Sequence, residues 1–202
     1  MSYSYSKTQN SGSRALVASL AVVVSCFFLS SLKADVVVQS SGKRIEGVTV
    51  LSAKWDQVLF KQGGNTVKLE GDTVASIQRE SAYLQPVRSA ISGGNYAKAL
   101  SSISKLDGRG LKGWQAAELQ YLKGKAQLAA GEAGKADGVF KEFVAANKET
   151  KDYWLPHAIY GRGQAMLDLG RGNSAQTHFQ GLAPYGPTWV LRAKLGEAQG
   201  LF

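Results

Sequence analysis

The chain has 202 residues, 44% of them hydrophobic and 19% charged, with 24 Lys and Arg against 15 Asp and Glu, a formal net charge of +9. That length holds one or two small domains and excludes a longer assembly. Two His and one Cys leave little material for a metal centre.

Met1 to Arg14 is polar, lacks an acidic residue and contains Lys7 and Arg14. Ala15 to Leu32 is apolar apart from four serines, and the small residue Ala34 closes the segment after Lys33. Residues 1–34 therefore have the parts of a secretory signal peptide cleaved after Ala34. Two alternatives stay open. The apolar run just reaches the roughly 18 to 20 residues of an uncleaved anchor, and Val23-Val24-Ser25-Cys26 resembles a lipobox that would lipidate Cys26. All three make the protein extracytoplasmic, either in a bacterial periplasm or held at a membrane. Cleavage would remove 34 residues, three basic and none acidic, leaving 168 residues with 21 basic against 15 acidic, or +6. It would also remove the one Cys, and with it any disulfide, thiolate nucleophile or Cys-based metal site.

Residues 35–80 are strand-like. Val36-Val37-Val38, then Ile45 with Val48 and Val50, then Trp55 to Phe60, then Val67 with Leu69, then Val74 to Ile77 give five short strands. Ser40-Ser41-Gly42, Gly63-Gly64-Asn65 and Gly71-Asp72 supply the turns. Strands this short need a curled sheet or small barrel to bury one face. Ser41-Gly42-Lys43-Arg44-Ile45-Glu46-Gly47-Val48, with Trp55-Asp56-Gln57-Val58 and Thr73-Val74-Ala75-Ser76-Ile77, resembles a short SH3-like or Sm-like β-module of exported bacterial proteins. A five-stranded, barrel-like module is expected. Its basic residues Lys43, Arg44, Lys54, Lys61 and Lys68 read as a solvated face. No aromatic pair has the spacing for base stacking, and export argues against a nucleic-acid partner.

After Ser81 the period changes to three-to-four. Tyr121, Gly124, Ala126, Leu128, Gly131, Ala136 and Phe140 recur as Tyr160, Gly163, Ala165, Leu167, Gly170, Ala175 and Phe179, an offset of 39 throughout. Stepping back 37 from Gly131, Ala136 and Phe140 reaches Gly94, Ala99 and Ile103. A repeat of this length signals stacked helical hairpins, none able to bury both apolar sides alone. Gly131 and Gly170 are placed as turn residues, and Pro86 and Pro187 lie near helix starts. Thr188 to Phe202 reads as a capping helix that buries Trp189, Leu191 and Leu195. Gly113, Gly124, Gly138, Gly161, Gly163 and Gly196 fall inside expected helices, each costing roughly 0.5 to 1 kcal/mol relative to Ala.

Gly94-Asn95-Tyr96-Ala97-Lys98-Ala99-Leu100, the Gly124/Gly131 and Gly163/Gly170 pairs, Ala136/Phe140, Ala175/Phe179 and Pro187 resemble the small, large and turn positions of tetratricopeptide repeats. Lys123 and Arg162 stand where that repeat has an apolar residue, and Gln127 where it usually has an aromatic one. The resemblance spans residues 81–202 and implies an α+β protein whose β-module precedes an α-α superhelical array. It also implies a concave groove lined by the first helices, receiving Leu84, Arg88 and Ile91, then Glu118, Tyr121 and Lys125, then His157, Tyr160 and Gln164. Tyrosines beside basic and amide groups suit a protein or peptide partner, although Tyr121 and Tyr160 are more simply explained as packing residues between helices.

No nucleophile with a supporting carboxylate is recognisable, and His157 and His178 lack neighbouring metal ligands at coordination spacing. Gly161-Arg162-Gly163 follows no strand, so a dinucleotide or P-loop reading fails its context. The expectation is a non-enzymatic, cofactor-free interaction or scaffold protein of the cell envelope. The alternative is an electrostatic binder of anionic envelope polymers through the basic β-module.

Overall fold

A computed structural model describes residues 34–200; the leader, with its cleavage, anchor and lipidation readings, lies outside the described residues. Among them no helix is long and apolar enough to cross a membrane. The fold is α+β: five strands form one antiparallel sheet, and seven α-helices follow. Sheet and helices belong to one compact unit.

The strands are β1 (Asp35–Gln39), β2 (Arg44–Ala53), β3 (Gln57–Gln62), β4 (Asn65–Glu70) and β5 (Val74–Gln78), in the order β4-β3-β2-β1-β5. Gly63 and Gly64 both have positive φ, as the two-residue turn between β3 and β4 requires. Alternation does what the sequence pattern asks: Val37, Val48, Val58, Phe60, Val74 and Ile77 are buried together. The Asp35 carboxylate accepts from the N–H groups of Val50 and Glu80, both at 2.7 Å, tying the start of β1 to β2 on one side and to the chain just after β5 on the other.

The expected barrel does not form. β4 and β5 are opposite edges of an open sheet and do not pair. The physical reason is that closure is unnecessary: Tyr153 and Trp154, from the helical half, cover the apolar face that a barrel would close over. The Tyr153 hydroxyl donates to the carbonyl of Val74 at 3.2 Å. Trp55 also departs from expectation, since it precedes β3 and packs edge-on against Tyr185, with ring centroids 4.9 Å apart.

The helices are α1 (Gln85–Ser92), α2 (Tyr96–Asp107), α3 (Trp114–Ala129), α4 (Ala133–Asn147), α5 (Leu155–Asp168), α6 (Gly172–Gln180) and α7 (Pro187–Gln199). Each packs on the next in sequence, and α1, α3, α5 and α7 also touch in that order. Three hairpins turn in the same way. Gly94, Gly131 and Gly170 have φ of 71°, 78° and 67°. In each, the following residue's N–H reaches a carbonyl five residues back, Asn95 to Ala90, Glu132 to Gln127 and Arg171 to Met166, all at 2.8 Å. This is the Schellman ending, which the left-handed residue makes possible.

Between hairpins, the helix glycines have a steric purpose. A Cβ at Gly124 of α3 or Gly161 of α5 would lie 2.6 Å from the ring of Phe140 in α4. Gly163 of α5 and Gly196 of α7 stand in the same relation to Phe179 of α6. Each phenylalanine is thus seated between two glycines of flanking helices. Where the first copy has the smaller Ile103, the core around it includes the larger Val87 and Leu122. Gly113 is different: it lies just before α3, with φ of 56°, and is not inside a helix. Gly138 is in α4 but faces open space.

The last helix corrects a further expectation. Trp189, Ala193 and Gly196 face inward, whereas Leu191 and Leu195 are 62% and 59% exposed. Counting 35 residues forward from α5 explains this, because Trp154, Ala158 and Gly161 become Trp189, Ala193 and Gly196. α7 repeats the register of α5 and buries the same face.

Candidate functional site

A cavity of about 530 Å³ lies between β5 and the helices α1, α3, α5 and α7. Its volume falls within the usual range for ligand pockets. Of the residues expected to line a groove, it receives Arg88, Ile91, Glu118, Tyr121, Lys125, His157 and Tyr160. Leu84 is fully buried in the core beside α2 and lines nothing. Gln164 lies outside the cavity wall, donating to the Tyr160 hydroxyl at 3.1 Å and to Gln199 at 3.0 Å.

The helix register explains the convergence. Residues three or four apart share a helix face, so Glu118, Tyr121 and Lys125 project from α3 together, as His157 and Tyr160 do from α5. Sequence reasoning missed Trp154, Trp189, Arg192 and the strand residues Ala75 to Gln78, all of which line the cavity. The signal for three of them was present: the 35-residue step that takes Trp154 to Trp189 takes His157 to Arg192.

Rings form the floor. Tyr121 stacks on Trp154 at 4.4 Å and 15°, and His157 meets Tyr121, Tyr153, Trp154 and Trp189 at 4.7 to 5.7 Å. Burial among these rings, with Arg192 and Lys125 nearby, lowers the His157 pKa to about 3, so the imidazole is neutral. Burial likewise pushes the Tyr121 hydroxyl up to about 12. Neither ring therefore carries charge at neutral pH.

Charge enters from above the floor. Arg88 grips Glu118 with two bonds of 2.7 Å and donates to the carbonyl of Arg79 at 2.6 Å. Burial raises the Glu118 pKa and the Arg88 hydrogen bonds pull it back, so this pair is internally neutralised. Arg192 lies over the Trp189 ring at 4.6 Å. Neither Arg192 nor the exposed Lys125 has a carboxylate partner among the described residues. The cavity consequently has a surplus of positive charge over an aromatic floor. Among the described residues no cluster of three His, Cys, Asp or Glu could hold a metal ion, and His178 lies apart on α6.

The basic residues of the sheet do not reinforce this site. Arg44 pairs with Glu46 at 3.0 Å, Lys54 bridges Asp152 through its backbone, and Lys61 and Lys68 are exposed on the β3–β4 hairpin. Comparison with protein-family models, with curated proteins and with solved structures finds no match to this chain.

Proposed function

We propose that this is a non-enzymatic, exported interaction protein, a tetratricopeptide-like array that captures a protein or peptide partner in the cavity between β5 and its odd-numbered helices. The observation that carries the proposal is the makeup of that wall: Tyr121 and Lys125 from α3, Trp154 at the start of α5, and Trp189 and Arg192 from α7. Aromatic rings and Arg concentrate binding energy at protein interfaces because they bury large areas with few lost rotamers. The neutral His157 ring offers a further hydrogen-bonding group without the cost of a buried charge. Export rests on the composition of residues 1–34.

Capture from envelope extracts tests this, comparing wild type with a Lys125→Glu, Arg192→Glu variant and with a Tyr121→Ala, Tyr160→Ala variant that remains folded. The expected outcome is a discrete protein retained by wild type at both low and high salt, and lost from both variants. Equal capture by all three would reject the cavity as the binding face.

A further inference from the structure

The free edge of β5 forms one wall of the cavity. Successive strand residues point to opposite faces of a sheet, yet Ala75, Ser76, Ile77 and Gln78 all line the cavity. A space touched by four consecutive strand residues abuts the strand's edge rather than either face. Ile77 makes the point most directly. Its side chain is buried in the sheet core, so what it presents to the cavity is its main chain.

The hydrogen bonds along β5 give the same orientation. The carbonyl of Thr73 accepts from the Ser40 N–H, on the β1 side. The carbonyl of Val74 turns the other way and takes the Tyr153 hydroxyl, and the carbonyl of Arg79 takes Arg88 at 2.6 Å. The register slips by one residue opposite Val38 and Gln39, placing Ala75 in a bulge. From Ser76 onward pairing is regular, Val38 with Ser76, Val37 with Ile77 and Val36 with Gln78. Alternation then directs the Ile77 N–H and C=O to the same side as the Arg79 carbonyl. Both ends of this edge are occupied by side chains of the protein itself. Among the described residues nothing but β1 pairs with Ser76 to Gln78.

We propose that the cavity takes an extended acidic peptide whose main chain pairs with Ile77 on the free edge of β5. One row of its side chains would rest on Trp154 and Trp189, and an acidic side chain would sit between Lys125 and Arg192. This rests on the cavity being the binding face, and adds to it the partner's conformation and charge. Strand addition takes its affinity from main-chain hydrogen bonds and its selectivity from what the alternate side chains meet. Here the selectivity is charge complementarity, because Lys125 and Arg192 are the lining cations left without a carboxylate, while Arg88 is already neutralised by Glu118. The bulge at Ala75, the Tyr153 bond and the Arg88 bond together restrict pairing to a short window. Such an edge resists indiscriminate sheet growth and remains open to one docked segment.

The test uses the full chain and four synthetic peptides, read by NMR. The first is the heptapeptide Val-Glu-Val-Glu-Val-Glu-Val and the second its counterpart with Lys for Glu. The other two are the acidic peptide N-methylated either at its Val amides or at its Glu amides. The acidic peptide should shift the Ile77 amide and the Trp154 and Trp189 indole signals saturably. The Lys peptide should bind at least about tenfold more weakly, and Lys125→Glu should reverse that order. A docked strand has only one edge on β5, so N-methylation of one set of amides should abolish binding and the other set should leave it intact. Unchanged binding of both N-methylated peptides, or equal weakening of both, would overturn strand pairing while leaving the cavity as the binding face. Absence of saturable binding by the acidic peptide would overturn the proposal outright, and persisting partner capture would show that the broader function survives it.

Discussion

Phe140 and Phe179 each occupy a slot whose walls are glycines on the helices to either side, and this decides how substitutions there behave. In an exposed helix position, replacing Gly by Ala gains roughly 0.5 to 1 kcal/mol. At Gly124 and Gly163 the new methyl would meet a phenylalanine ring that is itself fully buried, and overpacking of this kind costs about 1 to 3 kcal/mol. Gly124→Ala and Gly163→Ala should therefore lower the urea midpoint, and Gly138→Ala, which meets nothing within 4 Å, should raise it. His157 gives a second prediction at this scale. Its folded pKa of about 3 lies below the unfolded value near 6.5. As pH falls through that interval the unfolded chain takes up a proton that the folded ring refuses, so stability present above pH 6.5 is lost on acidification. The slope from this group is at most about 1.4 kcal/mol per pH unit, reduced by the ring's partial exposure to the cavity. Urea midpoints from pH 7 to 4 should fall less steeply in His157→Gln than in wild type.

At the scale of elements, ion pairs join α2 to α3 and α4 to α5. Lys123 and Arg162, the two departures from the apolar pattern, hold Asp107 at 3.1 Å and Asp137 at 2.9 Å across the α2–α3 and α4–α5 contacts. They are equivalent positions serving the same junction. Gln127 has no such compensation, since its Oε1 is buried without a hydrogen-bond partner among the described residues. The Arg88–Glu118 pair joins α1 to α3 and is more deeply enclosed. Removing one member of a buried pair strands the other charge and costs about 3 to 5 kcal/mol. Arg88→Ala should therefore destabilise far more than Lys123→Ala, where both partners are partly exposed and about 0 to 1 kcal/mol is at stake. Thermal denaturation of the two variants side by side makes the comparison.

Much of this level was legible in the sequence. The 39-residue offset located both Phe–Gly slots and both turn glycines, because small, large and left-handed positions each admit few residue types. Alternation located the strands for the same reason. The burial of α7 was misread because Leu191 and Leu195 are apolar, whereas its inward face is set by the smaller Ala193 and Gly196 that close packing selects. Sheet closure could not be read at all, since it depended on Tyr153 and Trp154, about 75 residues beyond β5 in the chain.

At the scale of the whole molecule, sheet and helices share a core. Tyr153 and Trp154 contribute to the sheet cluster, Trp154 also packs with α4 and α5, and Lys151 bonds Asp56 at 2.7 Å across the same junction. The two halves should therefore unfold together: far-UV circular dichroism, which follows the helices, and the NMR intensities of the β3 amides, which follow the sheet, should give coincident melting curves. Separate transitions would mean that the sheet is an independent domain. The same junction creates the cavity, because it brings the β5 edge up to the inner helices. Seven of the nine residues expected from sequence to face a groove, Arg88, Ile91, Glu118, Tyr121, Lys125, His157 and Tyr160, converge there, while the sheet's contribution came only with the fold. The most direct test of the cavity as the working surface is photo-crosslinking in envelope extracts, with the reactive group placed at Lys125 in one protein and at the exposed Lys141 of α4 in another. A discrete adduct from position 125 and none from position 141 is the predicted result; the same adducts from both positions, or adducts from position 141 alone, would contradict it.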